Sequence, residues 1–160
     1  MRRKLLLLDY SILFFGTSYY LGTGWSTAIS QFPIMPKLTV SNYYLHFVPQ
    51  VAASTGFFNW LVPIMIIAAI VMLVGEWKTR LRWVPIVVLL AIFSSTLITY
   101  FLIFPINRAL TAGITDPNQF SEAIQGWVRY TWYRIPLWTL EWVSMMYYFA
   151  ARAYQAMELP

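Results

Sequence analysis

One apolar stretch near the end of the chain carries an acid, an arginine and aromatic residues at helical spacing. Arg134, Trp138, Met145 and Tyr148 lie three, four or seven residues from Glu141, so all five share one helical stripe. An acid within a membrane helix is costly and usually faces protein, so we expect Glu141 inside, near Arg134 or a polar group of another helix. It is either a neutral residue that fixes helix register or a proton-handling group in a cavity.

The chain contains one histidine, His46, and no cysteine. A single imidazole cannot form a bis-histidine haem or a histidine-rich metal site, and the absence of cysteine excludes thiolate–metal sites, CxxC redox chemistry and disulfides within the chain. His46 is either an interfacial residue beside tyrosines or a catalytic base. Trp138 and Trp142, one helical turn apart, are candidates to contact a flat aromatic ligand.

Composition indicates an integral membrane protein. The 160 residues are 59% hydrophobic, 19% aromatic and 11% charged, whereas soluble domains carry about 25% charged residues. We interpret residues 1–160 as a single membrane domain whose partner is the lipid bilayer. The net charge of +5 comes from basic residues scattered around apolar stretches, which indicates membrane orientation and argues against nucleic acid as a partner.

Four stretches reach the roughly 20 residues needed to cross the hydrocarbon core. The predicted fold is all-α: a bundle of four transmembrane helices with short interfacial helices in the two non-cytoplasmic loops. The predicted spans cover about residues 5–29, 57–74, 84–104 and 132–151.

Basic residues at the ends of the spans predict the orientation of the bundle. Seven of them are expected on the cytoplasmic side, which places both termini in the cytoplasm. These are Arg2, Arg3, Lys4, Lys78, Arg80, Arg82 and Arg152, against Lys37, Arg108, Arg129 and Arg134 on the opposite side. Asp9 is expected to pair with Arg152 at the same depth.

Local signals predict helix ends and contacts. Ser41 is a candidate cap for a short helix in the first long loop, and Asp116 followed by Pro117 is a helix start in the second. That second helix is expected to lie along the interface and run into the fourth span. Pro105 is expected to end the third helix. Small residues recur every four positions in the first span and predict close helix contact, at Ser18, Gly22, Ser26 and Ser30.

Short motifs resemble those of the anthrone oxygenase-like family of small four-helix membrane proteins. The segment "TYFLIFPINRAL" places Pro105 and Asn107 at the exit of the third span, followed by Trp127 and then by Arg134 at the start of the fourth. The segment "LGTGWSTAISQFPIMPKL" is similar to the family's exit from the first helix. The resemblance covers nearly the whole layout of the chain.

The resemblance implies oxidation of a flat aromatic, anthrone- or quinone-like substrate at the membrane, without a cofactor. An enzyme of this kind removes a proton, holds the resulting anion and admits oxygen from the bilayer. Under this hypothesis His46 or Glu141 is the base, and Asn107 and Arg134 stabilise the oxyanion. Trp127, Tyr130 and Trp138 are then expected to stack on the substrate's rings.

A second hypothesis is a non-catalytic accessory subunit of a larger membrane complex. Aromatic helix faces suit packing against partner membrane subunits or against other copies of the chain. A transporter is disfavoured, because the sequence contains no internal repeat and no pair of interrupted spans.

The predicted orientation can be checked with two reporter fusions. A reporter fused at Thr79 should be cytoplasmic, and one fused at Thr115 should lie on the opposite side, because the third span separates them. Reporters active on one side of the membrane only, such as alkaline phosphatase and a fluorescent protein, measure this directly. Matching locations would mean that a span has been miscounted.

Overall fold

This computed structural model describes residues 2–157, with side chains from Leu5 onward. The described residues form helices and no strand. The predicted cytoplasmic side chains of Arg2, Arg3 and Lys4 therefore lie outside the described part. The α-helices are α1 (Arg2–Ser26), α2 (Tyr43–His46), α3 (Val48–Glu76), α4 (Trp83–Ile98), α5 (Phe104–Ala112) and α6 (Pro117–Met157). Two π-helical segments extend α1 and α4, Thr27–Gln31 and Thr99–Ile103, and 3₁₀ turns lie at Met35–Lys37 and Arg80–Arg82.

Three helical stretches of the described chain are long and apolar enough to cross a membrane: Leu5–Gln31, Tyr43–Glu76 and Arg80–Ala112. They contain the first three predicted spans. The region of the predicted fourth span lies within α6, which is not among the three. Its many tryptophan and tyrosine side chains carry polar tips, and these make it less apolar than the other helices.

The helix ends differ from the predicted ones in two places. The helical path of the third span does not end at Pro105, because α5 begins at Phe104 and Pro105 occupies its first turn, a position that suits proline. The residue that precedes α2 is Asn42 rather than Ser41, and its side chain makes no capping hydrogen bond. The prediction that the helix starting at Pro117 runs into the region of the fourth span is confirmed, since α6 is unbroken from Pro117 to Met157.

The predicted start of α6 is confirmed. A carboxylate oxygen of Asp116 accepts hydrogen bonds from the backbone amides of Asn118 and Gln119, at 2.7 and 3.2 Å. Asp116 thereby satisfies amides that the first turn of a helix leaves without partners. Pro117 follows as the first helical residue.

The long helices pack in a ring in which α1 contacts α3, α3 contacts α4, α4 contacts α6, and α6 closes on α1. Neighbours run antiparallel. Tyr10 and Tyr148 meet at one end of α1 and α6, with ring centroids 5.4 Å apart. Tyr20 and Trp138 meet nearer the other end, at 4.9 Å. Buried apolar side chains from all four helices fill the ring.

The face of α1 that packs inward is not the predicted stripe of small residues. Ser26 and Ser30 are exposed, and a side chain added at Gly22 would meet nothing within 4 Å. The prediction of close contact along this stripe is wrong for contacts within the chain. Gly16 and Gly24 instead make the close approaches, against Met65 and Trp138.

A buried carboxylate, Glu76, joins three helices at the end of the ring where α3 stops. It accepts hydrogen bonds from Tyr148 at 2.7 Å, Tyr10 at 3.4 Å and Thr79 at 2.6 Å, and it pairs with Arg152. We call these five residues the Glu76 network. The predicted pairing of Asp9 with Arg152 is wrong, because Glu76 takes that place and satisfies the guanidinium.

At the opposite end, a second cluster of buried side chains covers the ring, and we call it the aromatic cap. It joins the first long loop, α2, α5 and the first turns of α6. Its members are Met35, Tyr43, Phe47, Ile103, Leu110, Phe120, Ile124 and Trp127. The Tyr43 hydroxyl donates to the backbone carbonyl of Leu110 at 3.2 Å and accepts from the amide of Ile114 at 2.7 Å, which ties the two loops together.

Removal of the Glu76 carboxylate should destabilise the bundle. Glu76→Ala leaves the hydroxyl of Tyr148 and the guanidinium of Arg152 without their acceptor. We expect a loss of about 2–3 kcal/mol, below the range for fully buried ion pairs because the Arg152 side chain is 39% exposed. Thermal unfolding in detergent measures it, with Glu122→Ala, on the exposed surface of α6, as the control. Equal midpoints for the two variants would contradict a stabilising role.

Candidate functional site

A cavity of about 470 Å³ lies inside the ring next to the aromatic cap, within the size range of small-molecule sites. All four long helices line it. Hydroxyl and amide side chains make up much of the wall: Thr23, Thr27, Gln31, Gln50, Ser54, Thr55, Asn59, Ser95, Thr96, Thr99, Asn107 and Thr131. Aromatic rings supply much of the remainder: Tyr20, Phe58, Tyr100, Phe104, Trp127 and Trp138. Such a wall suits a flat apolar molecule that carries a few oxygen atoms.

Arg134 is the one charged residue among those that line the cavity. Its two terminal nitrogens donate to the hydroxyls of Thr99 and Thr131 at 3.0 and 3.2 Å, and its guanidinium carbon lies 4.8 Å from the centre of the Trp138 ring. Its Nε is buried without a hydrogen-bond partner, and Arg134 forms no ion pair with any described acid. A cation held only by hydroxyls and a ring retains capacity to bind an anionic or strongly polar oxygen.

The helices that line the cavity are irregular where they pass it. Both π-helical segments contribute lining residues, Thr27 and Gln31 from one and Thr99 and Ile103 from the other. In α3, Pro63 also lines the wall and lacks the amide hydrogen that the carbonyl of Asn59 would otherwise accept. Irregular backbone at membrane depth is tolerated where it is buried in protein or lines a cavity, and π segments often mark functional sites.

The inner boundary of the cavity is an aromatic cluster around Trp138. The indole packs at 4.9 Å from the Tyr20 ring and nearly parallel to Phe58, at 6.4 Å. Gly24 leaves room for it, because a Cβ at that position would lie 2.8 Å from a carbon of the indole. The indole nitrogen of Trp138 is buried and has no hydrogen-bond partner among the described residues.

Glu141 lies one turn beyond Trp138 along α6 and is fully buried, which confirms the expected inward position. It does not line the cavity, and neither of its carboxyl oxygens has a hydrogen-bond partner among the described residues. The expectation of a polar partner, such as Arg134 two turns earlier, is therefore wrong.

The structure brings four of the predicted site residues to the cavity: Asn107, Trp127, Arg134 and Trp138. The side-chain oxygen of Asn107 and the indole nitrogen of Trp127 are buried there without described partners. The other predicted residues lie elsewhere. His46 is exposed on α2, and the partly buried ring of Tyr130 is 6.2 Å from that of Tyr133. The predicted roles of these residues stay predictions.

The two hydroxyls that hold Arg134 were not among the predicted site residues. The sequence does contain a pattern that indicates a role for Thr99. Ser95, Thr96 and Thr99 are polar residues at helical spacing inside an otherwise apolar span. Thr131 precedes Arg134 by three residues on the same helix, within side-chain reach. The polar face of α3, which includes Ser54 and Asn59, was also not predicted.

Comparison of the chain with family models, with curated proteins and with solved structures gave no match. The geometry of the cavity and the resemblance in sequence are therefore the grounds on which a function can be proposed.

Two neighbouring glycines test whether the position of Trp138 shapes the cavity. Gly24→Ala should displace the indole and shift the tryptophan emission spectrum, because the new Cβ would overlap the ring. Gly22→Ala is the matched control, since its Cβ would meet nothing within 4 Å. Emission spectra and thermal unfolding in detergent report on both variants. Indistinguishable spectra for the two would show that the packing of Trp138 tolerates the added methyl group.

Proposed function

We propose that the protein is an integral membrane protein with four spans and cytoplasmic termini that resembles the anthrone oxygenases. In this proposal α6 is the fourth span, and the cavity binds a flat aromatic molecule with a ketone or phenol oxygen. The reaction is oxidation of that molecule by dioxygen, without a cofactor.

The observation that carries the proposal is the environment of Arg134. Arg134 is partly buried, lines the cavity and has no carboxylate partner among the described residues, so its charge is available to a ligand. Its positive charge would stabilise the oxyanion that forms when an anthrone loses a proton from its central methylene group. Asn107 would add a second polar contact through its amide, and the rings of Trp127 and Trp138 would face the flat substrate.

The proposed reaction balances with dioxygen as the oxidant. The central methylene group loses a proton, and the resulting carbanion is delocalised onto the ketone oxygen as an oxyanion. The anion transfers electrons to dioxygen and forms a carbon–oxygen bond, and the resulting peroxide anion takes back the proton from the base to give a hydroperoxide. Loss of water then leaves a second ketone, so one anthrone and one dioxygen yield one anthraquinone and one water. Both apolar reactants concentrate in the bilayer.

The base that removes the proton from the substrate is either Glu141 or His46 in this proposal. No histidine or carboxylate is among the described residues that line the cavity. Lowering the energy of the anion is therefore the main contribution that the cavity wall can make. The two candidate bases both lie outside this lining: Glu141 is one turn beyond Trp138 on α6, and His46 is exposed on α2.

Replacement of Arg134 should abolish most of the catalysis. Purified protein supplied with an anthrone should take up oxygen and form the quinone faster than buffer alone, with no added metal or flavin. Arg134→Ala should slow this by about 10²-fold, the effect of removing one oxyanion-stabilising group. Arg129→Ala, an exposed arginine on the same helix, should leave the rate unchanged.

The same oxygen-uptake assay separates the candidate bases and the competing function. Glu141→Gln and His46→Ala are compared with the wild type, and the base is the residue whose loss removes the alkaline rise in rate. Size-exclusion chromatography confirms that each variant remains folded.

If the wild type shows no acceleration and copurifies with stoichiometric membrane subunits, the accessory-subunit hypothesis replaces the enzymatic one.

A further inference from the structure

The exposed part of the cavity wall lies on one side of the ring. Five lining residues are exposed, and they belong to α3 and to the π segment that follows α4: Gln50, Ser54, Asn59, Pro63 and Tyr100. The lining residues of α1 and α6 are all buried or partly buried. We call the continuous helical path of α4, the π segment Thr99–Ile103 and α5 the α4–α5 column. The cavity wall is therefore open between α3 and the α4–α5 column, and we call this opening the side cleft.

The end of the ring next to the cavity is closed by the aromatic cap. Trp127 and Ile103 belong both to the cap and to the cavity wall, and both are buried. The rings of Phe47 and Phe32 pack edge-on against Trp127, with centroids at 5.0 and 6.3 Å. A molecule that arrives along the axis of the bundle would have to displace this cluster.

The side cleft faces the surface that the bilayer would cover. Asn59 lies in the middle of a helix whose neighbouring positions are strongly exposed and apolar, with Trp60 at 78% and Ile67 at 62%. The rim nevertheless carries two polar groups of Asn59. One is its side-chain amide, and the other is its backbone carbonyl, which lacks a helical hydrogen bond because Pro63 has no amide hydrogen. Polar groups are costly against acyl chains, so their presence at this rim calls for a polar partner.

We infer that the ligand enters the cavity sideways from the bilayer, through the side cleft. The ligand is then a membrane-dissolved molecule with an apolar body and an oxygen-bearing end that passes the polar rim and reaches Arg134. That this ligand is aromatic rests on the proposed function. A water-soluble ligand would instead need a route through the aromatic cap.

The absence of cysteine from the chain allows the route to be blocked at chosen positions. Asn59→Cys places a label in the side cleft, Leu45→Cys places one on the exposed surface of α2 at the capped end, and Ile64→Cys places one on the exposed surface of α3. Neither Leu45 nor Ile64 lines the cavity. Each variant is modified with N-phenylmaleimide in membranes, and the extent of modification is measured by mass spectrometry. Anthraquinone serves as the probe, and its association is followed in detergent micelles by quenching of tryptophan fluorescence.

The label at Asn59→Cys should slow association of anthraquinone by about tenfold or more, while the labels at Ile64→Cys and Leu45→Cys leave it unchanged. Slowing by the Leu45→Cys label with none by the Asn59→Cys label would overturn side entry. So would failure of Asn59→Cys to react in membranes where Ile64→Cys reacts, because a partner would then cover the cleft. If unmodified protein does not bind anthraquinone at all, the proposed function fails instead, since binding requires no oxidation.

Discussion

The Glu76 carboxylate holds one end of the helical ring together, and the shape of the rest follows from that constraint. Its acceptor oxygens bring α1 and α6 to the end of α3 through Tyr10, Tyr148 and Arg152. Apolar packing continues from this network through the middle of the ring. Beyond Trp138 the four helices leave space between them, and the cavity lies there, at the end of the ring away from the network.

The two ends of the ring use polar groups in opposite ways. In the Glu76 network a buried acid and an arginine neutralise each other and are fully hydrogen-bonded, which stabilises the fold and leaves no capacity for a ligand. At the cavity, Arg134 contacts only hydroxyls and a ring, and Asn107 keeps an unpartnered oxygen. Arg134 and Asn107 thus keep polar atoms without described partners at the candidate site, whereas the charges of the Glu76 network are paired with each other.

The sequence predicted the helices far better than it predicted which polar residues would meet. Apolar length and the Asp116 cap are local signals, so the helical stretches and the start of α6 could be derived. The inward positions of Arg134, Trp138 and Glu141 followed from helical spacing. Partners depend on which helices become neighbours, and spacing within one helix does not report that. For this reason Arg152 was assigned to Asp9 instead of Glu76, and Thr99 was not connected with Arg134.

The π segment Thr99–Ile103 has a consequence for how this chain tolerates changes in length. Cavity residues recur every four positions along this column, at Ser95, Thr99, Ile103 and Asn107. In a regular α-helix each step of four turns the side chain by a further 40° or so, and three steps would rotate Asn107 about 120° away from Ser95. The wider turn absorbs this rotation by accommodating an additional residue. Deletion of one residue there would restore a regular helix and place Asn107 eleven residues after Ser95. Eleven residues make just over three full turns, so Asn107 would stay within about 20° of Ser95 and would still face the cavity.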